Sequence, residues 1–340
     1  MQLIKTPTKG MNDYLPRETR LREYVKGVII RAYEKNGFSM IETPAVEHIE
    51  NLTGKNGGDN EKLIFKIMKR GEKLNEAAGN DAELCDSGLR YDLTVPLSRY
   101  YANNQAKLPS PFMAMQIGNV WRADRPQKGR FRQFTQCDID ILGDSTQLAE
   151  ITLISATTGV LRELGFDNFT VRINDRRLLK VCADYCGFKP EDCDKVFITL
   201  DKMDKIGLDG VKRELVEEDF DEASVEKYVA LYENCDAVSV SEFAADRLGG
   251  NGADIAASLE SIMRCATAAT AGGCSLKFDP TLVRGMSYYT GTIFEISMDG
   301  YGYSVGGGGR YDEMLAKFSG QKTPACGFSL GFERIVAALA

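Results

Sequence analysis

The chain has 340 residues, 43% of them hydrophobic, and a formal net charge of −7. That length accommodates two domains, or one large domain carrying an insertion. The acidic balance argues against indiscriminate nucleic-acid binding but leaves room for a local basic groove. With one histidine in the chain, His48, Ser-His triads and histidine-rich metal sites are all but excluded. No apolar run reaches the roughly 18 residues that a membrane span needs. MQLIKTPTKGMNDYLP at the start lacks the apolar core of a signal peptide. Nine cysteines without paired spacing read as reduced thiols of a cytosolic protein.

Leu21, Tyr24, Val25, Val28, Ile29, Ala32 and Tyr33 recur at helical spacing. They predict a helix over 17–36, closed by Gly37. Residues 38–43 predict a strand stopped by Pro44, and His48 beyond it reads as a surface or interface side chain. Residues 61–69 predict a strand, 70–87 an exposed polar loop, and 89–101 a strand-to-helix unit. Residues 146–164 predict a helix ending at Gly165, and 168–174 a strand. Residues 176–272 are largely helical in pattern, with acidic runs that read as a solvated face. Cys182, Cys186 and Cys193 fall there among apolar neighbours without a fourth ligand, so they read as structural, and no metal site is predicted. Strand patterns return at 275–279, 292–298 and 301–305. A final strand and helix occupy 325–340.

Four stretches carry chemistry. In GNVWRADRPQKGRFRQFTQCDIDILG, residues 118–143, Arg122, Arg125, Arg130, Arg132 and Lys128 gather about a turn, with Arg99 nearby in sequence. Guanidinium groups meet phosphate oxygens bidentately. Gln136, Asp138 and Asp140 then share one face of a predicted strand, and Asp92 and Thr94 in LRYDLTVP show a similar pattern. A buried carboxylate needs a cation or several donors beside it. A positive loop beside a carboxylate-lined strand suits a substrate with a polyphosphate at one end and a cation at the other; a surface hairpin of charge pairs is the plainer alternative. The third stretch joins Arg284, Tyr288 and Tyr289 (LVRGMSYYTG) to the glycine run of VGGGGRYDEML with Arg310 and Tyr311. Such a run permits close approach of backbone to a ligand, and no Walker lysine follows it. The fourth is ACGFSLGFERIVAAL, which places Arg334 in the first turn of a helix, where the dipole also favours an anion.

Taken in order, these stretches resemble the class II aminoacyl-tRNA synthetases, and among them the histidyl-tRNA synthetase family, from about residue 5 to 339. GFSMIETP looks like motif 1, VWRADRPQKGRFRQF like motif 2 and GFSLGFER like motif 3. LVRGMSYYTG and GGGGRYD look like the two histidine signatures. LRYDLTVP and FTQCDIDILG look like the amino-acid pocket. The resemblance implies an α+β fold: an antiparallel sheet flanked by helices, a catalytic domain at 1–175 and 273–340, and a helical insertion at 176–272. It implies histidine activation with ATP and Mg²⁺, transfer to tRNA(His), a homodimer built on motif 1, and a cytoplasmic location with no membrane partner. Asp92 and Thr94 would receive the α-amino group, and Gln136, Asp140, Tyr288, Tyr289 and Tyr311 the rest of the histidine. Arg122 would hold the α-phosphate and carboxylate, Arg125 and Arg334 the outer phosphates, with Asp124 assisting at the nucleotide. Arg284 would stabilise charge as the carboxylate attacks the α-phosphate. The sequence departs from the family at Ser287, usually aspartate. The sequence as it stands also has no C-terminal anticodon-binding domain after motif 3, which reads as a catalytic core or a short paralogue. The alternative implied is the histidine-binding regulatory subunit of ATP phosphoribosyltransferase, which would need the histidine pocket but not the phosphate arginines.

Overall fold

The computed structural model describes residues 3–53, 59–80, 83–126, 130–235, 238–284 and 288–340. Its strands are β1 (Ser39–Met40), β2 (Val46–His48), β3 (Lys66–Met68), β4 (Cys85–Leu89), β5 (Phe112–Trp121), β6 (Gln133–Leu142), β7 (Phe169–Asp175), β8 (Ser275–Phe278), β9 (Thr292–Met298), β10 (Ser304–Arg310) and β11 (Ala325–Gly331). Eight of them form a mixed sheet in the order β1-β5-β6-β11-β10-β9-β7-β8, and β2-β4-β3 form a small second sheet. The predicted antiparallel character holds for β10 with β9 and for β9 with β7. The outermost pairs, β1 with β5 and β7 with β8, are parallel. By contact density the chain divides into two compact units, 1–139 with 318–320 and 329–340, and 140–317 with 321–328.

The first unit opens on the helix Pro16–Lys35, which starts with proline at its first position and ends before Gly37 at φ +88°. Glu18 reaches back to accept the Leu15 N–H at 2.9 Å, satisfying one donor at the helix start. Val25, Val28, Ile29, Ala32 and Tyr33 form its buried face. The strand predicted at 38–43 is only two residues long. Beyond Met40 the carbonyls turn away from a ladder, and those of Thr43 and Pro44 accept the Arg90 guanidinium. The strand predicted over 61–69 likewise shrinks to β3, preceded by a 3₁₀ turn at Asp59–Leu63. The 70–87 stretch is not all loop: it holds a short helix, Glu72–Glu76, and the start of β4. The helix Thr94–Asn104 follows.

The C-terminal helix Phe332–Leu339 belongs to this unit too, and its Glu333 is not the exposed partner of Arg334 that adjacency suggests. Arg22 donates both terminal nitrogens to it, at 2.5 and 2.8 Å, and the Thr135 N–H adds a third bond at 3.1 Å. Both side chains are about nine-tenths buried. A buried pair of this kind costs roughly 3–5 kcal/mol when one partner alone is removed.

In the second unit, β7 pairs with β8 on one side and β9 on the other, and β10 pairs with β9. Residues 176–272 are largely helical, with helices at Arg176–Cys186, Cys193–Leu200, Met203–Glu217, Glu222–Tyr232 and Ala253–Ala269. The Met203–Glu217 segment breaks at Gly207, φ +67°, a conformation glycine adopts without strain. Phe188, Tyr228, Tyr232 and Phe243 stack edge-on or tilted inside this region. Cys182 and Cys186 lie among them, and burial pushes their thiols up to about 12 and about 11.

Gly306–Gly309 lies within β10, where it pairs with β9. Neighbouring chains leave no room for side chains: a Cβ on Gly308 would lie 2.0 Å from the carbonyl oxygen of Gly327.

Candidate active site

The first unit holds most of the groups singled out for a polyphosphate and an ammonium. Asp92 and Thr94 sit at the start of the helix Thr94–Asn104, both buried. Asp92 accepts the Val95 N–H at 3.1 Å. Burial pushes its carboxyl above the ordinary carboxylate range, against the pull of that N–H and of Arg122 nearby. Arg122 directly follows the last residue of β5, so it is at a strand end and not within one. Its N–H still donates to the Arg132 carbonyl at 2.8 Å, and its Nε is held by the Tyr91 carbonyl at 2.9 Å. The guanidinium lies 5.1 Å from the centre of the Phe134 ring. A group fixed by backbone and aromatic contacts meets a ligand with little further loss of freedom.

The remaining arginines divide by what holds them. Arg125 is exposed, and Arg334 is half-buried in the first turn of the C-terminal helix. Arg130 pairs with Asp124, donating from Nε at 3.1 Å. Arg132 is tied to backbone, its Nε donating to the Asp124 carbonyl at 3.0 Å. Arg99 does not join them: it reaches Glu47 at 2.6 Å from the helix Thr94–Asn104. Sequence proximity to the loop had no bearing on where its helix points it. Lys128 and Ser287 lie outside the described residues.

β6 carries Gln136, Asp138 and Asp140 at strand spacing. It is buried from Cys137 to Leu142, so its acidic face is enclosed and not solvated. The Gln136 amide nitrogen lies 3.3 Å from the Ser329 hydroxyl. Its carbonyl oxygen is buried with no hydrogen-bond partner among the described residues, an acceptor awaiting a donor.

The second unit holds the other set. The Tyr311 hydroxyl donates to Asp140, and its phenol is pushed well up by burial, then by that carboxylate. Tyr288 lies against both Tyr289 and Tyr311, with ring centres 4.9 and 5.4 Å apart. Arg284 forms an ion pair with Glu295, Nε lying 2.9 Å from the carboxylate. Arg310 has a structural position: it grips Glu150 at 2.7 and 2.8 Å and the carbonyls of Asp144 and Thr146 at 3.0 Å.

Several contributors escaped the sequence. Gly327 stands where a Cβ would fall 2.1 Å from an Asp140 oxygen, so its lack of side chain makes space for that carboxylate. Gly307 does the same for Arg284, whose Nη1 would lie 1.7 Å from a Cβ there. Glu295, the one charged residue of β9, was readable only as a lone charge inside a strand pattern. Among the described residues, no group of three or more His, Cys, Asp or Glu side chains converges to hold a metal.

The mixed sheet, helix-flanked and bearing these motifs in this order, is that of a class II aminoacyl-tRNA synthetase. A crystal structure of histidyl-tRNA synthetase from Nostoc sp. PCC 7120 superposes with a TM-score of 0.84 at 27% identity, covering 99% of this chain and 76% of that one. The profile of the histidyl-tRNA synthetase family matches residues 10–335, and the chain belongs to that family. A histidine–tRNA ligase of Leifsonia xyli subsp. xyli is 49% identical over 97% of this chain and 79% of its own length. A probable histidine–tRNA ligase of Tropheryma whipplei is 42% identical over the same shares. A structure described as an ATP phosphoribosyltransferase regulatory subunit/histidyl-tRNA synthetase from Bacillus halodurans C has a TM-score of 0.81, covering 100% of this chain and 84% of that one. At 22% identity it speaks for the fold alone.

Proposed function

We propose that this chain activates histidine with ATP, giving histidyl-adenylate and pyrophosphate, and then passes the histidyl group to the terminal ribose of tRNA(His). The observation that carries this reading is the joint presence of two residue sets. Asp92, Gln136, Asp140, Tyr288, Tyr289 and Tyr311 suffice for a protein that only senses histidine. Arg122, Arg125, Arg284 and Arg334 have no use in such a protein and every use in one that handles ATP. The family membership and the identity to histidine–tRNA ligases weigh the same way against the regulatory-subunit alternative.

The roles follow from charge and reach. Asp92 is a buried carboxylate whose ionisation burial opposes, so a substrate ammonium beside it, with the Thr94 hydroxyl, restores its charge. Asp140 already accepts from Tyr311, and a carboxylate has room for further donors. An imidazole N–H suits it, and Gln136, Tyr288 and Tyr289 are assigned to the same amino acid. Arg122 steadies the histidine carboxylate and the α-phosphate, Arg125 and Arg334 the outer phosphates, with Asp124 at the nucleotide. The carboxylate oxygen attacks the α-phosphorus, and the bond to pyrophosphate breaks. Charge builds on the phosphoryl oxygens, where Arg284 meets it; such a displacement asks for positioning and cationic stabilisation more than for a base. A tRNA hydroxyl then attacks the acyl carbon and AMP leaves. Mg²⁺ would travel with the ATP phosphates.

We also assign a homodimer through the motif 1 region, where Tyr24, Met40 and Val46 are exposed apolar groups; light scattering that finds a monomer at micromolar concentration overturns this. Among the described residues no helix is long and apolar enough to cross a membrane; the proposed substrates support a cytoplasmic location. The reaction is tested by histidine-dependent ATP–pyrophosphate exchange with Arg284→Ala as control. Tight histidine binding without exchange would instead establish the regulatory reading.

A further inference from the structure

The structure assigns Glu295 as the positioning residue of Arg284, an inference that rests on the histidine-activating reading above. Arg284 lies before β9, outside any helix or strand, and is one-third exposed, with a side chain of four rotatable bonds to be held in place. Glu295 supplies that constraint from β9: its Oε2 forms an ion pair with Arg284, 2.9 Å from Nε, while its own side chain is only 14% exposed. The closest approach is at Nε, and the guanidinium also carries two terminal nitrogens. Those are the donors a phosphoryl oxygen would need.

Glu295 is itself held from the other side. Its Oε1 accepts from Arg172 Nη1 at 3.3 Å, and Arg172 lies directly opposite it in the β7–β9 register. Arg172 Nε donates in turn to Asp279, whose other oxygen accepts the Thr281 N–H and hydroxyl at 2.9 and 2.7 Å. The result is a line of alternating charges, Asp279, Arg172, Glu295 and Arg284, with its far end anchored to a turn and its near end on the reacting arginine. Asp201 lies within electrostatic reach of the same pair, lowered by Arg284 and raised by Glu295, after burial. Gly307 completes the device by leaving open the volume that the guanidinium fills. A carboxylate placed only to neutralise Arg284 would not need a second arginine and a fixed aspartate behind it.

The test compares Glu295→Gln and Glu295→Asp by kcat and KM in histidine-dependent pyrophosphate exchange, with thermal unfolding alongside. Glu295→Gln removes the charge at constant size, and Glu295→Asp keeps the charge one methylene back. The expected result is a fall in kcat of roughly 30-fold for Glu295→Gln, with KM for histidine and ATP within about twofold and with most of the loss recovered in Glu295→Asp. Arg172→Lys reaches Glu295 from the other side without touching Arg284. It lowers kcat about threefold at constant KM, and it decides the matter if Glu295→Gln does not fold. A kcat within twofold of the parent in Glu295→Gln, or in Arg172→Lys, overturns the assignment. So does a loss that appears in KM alone. A parent enzyme without exchange overturns the histidine-activating reading and this assignment together, whereas an active parent with an unaffected variant overturns only the assignment.

Discussion

Two adjacent glycines should fail in opposite ways. At Gly307 an added Cβ would lie 1.7 Å from Arg284 Nη1 and 2.9 Å from its Cζ, while the nearest backbone atom, the Phe294 carbonyl oxygen, is 3.2 Å away. The obstacle is the far end of a flexible side chain, so Gly307→Ala should fold and force the guanidinium back by about 2 Å to ordinary contact distance. Misplacing a reacting group by about 1 Å can cost roughly 100-fold, and losing one charge-stabilising donor costs roughly 100- to 1,000-fold. The expected loss in kcat is therefore about 100-fold or more, or about 2.7 kcal/mol at least. At Gly308 the obstacles are backbone: the Gly327 carbonyl oxygen at 2.0 Å and the Phe328 Cα at 2.8 Å. Neither can retreat without separating strands, so Gly308→Ala should lower the yield of folded protein and the unfolding temperature. Pyrophosphate exchange and thermal unfolding, measured on both variants, separate the two effects. A Gly307→Ala enzyme with the parent's kcat would refute the placement of Arg284 at the reacting phosphate. A stable Gly308→Ala protein would refute the strand packing on which both arguments stand.

Removal of the Glu333 carboxylate by Glu333→Ala leaves Arg22 buried with the Thr135 hydroxyl, at 3.2 Å, as its remaining acceptor among the described residues, and urea unfolding should show a loss of about 3–5 kcal/mol; a loss below about 1 kcal/mol would mean that the pair is solvated. The Asp92 carboxyl is raised by burial, so its contribution to stability is fully present below its unfolded value of about 4 and is lost as pH rises through the folded value. Asp92→Asn should therefore gain stability over the parent as pH goes from 4 to 8 while losing histidine activation; a stability difference that does not change with pH contradicts the burial argument. A disulfide reagent should label the exposed Cys265 in the native protein and reach Cys182 and Cys186, raised to about 12 and about 11, only after unfolding. Native labelling of either buried thiol would show that the helical region opens.

What could be read in advance and what could not differ by a physical rule. Helical and strand periodicity, with the motif order, revealed the first helix, the helical run after 176 and the strand–helix end of the chain, because each rests on burial patterns local to its own segment. The residue types of the proposed site were legible for the same reason, since guanidinium, carboxylate and phenol announce their chemistry wherever they fall. Partnerships were not legible, because they depend on which strand lies beside which. Arg310 and Arg284 each adjoin a glycine and a tyrosine signature, yet one is clamped on Glu150 and the other on Glu295. Arg99 is close to the arginine loop in sequence but pairs with Glu47. The glycines show the rule most plainly. Read alone, the run at 306–309 signified close approach of backbone to a ligand. In the sheet each glycine answers to a different neighbour: Gly307 to Arg284, Gly308 to the Gly327 carbonyl, and Gly309 to the Thr292 carbonyl and the Tyr289 ring. Two of those four neighbours, Arg284 and Tyr289, are groups assigned to the chemistry. The run thus serves function by admitting protein side chains at close quarters, and that requirement becomes visible only once the paired strand and the arginine are both in place.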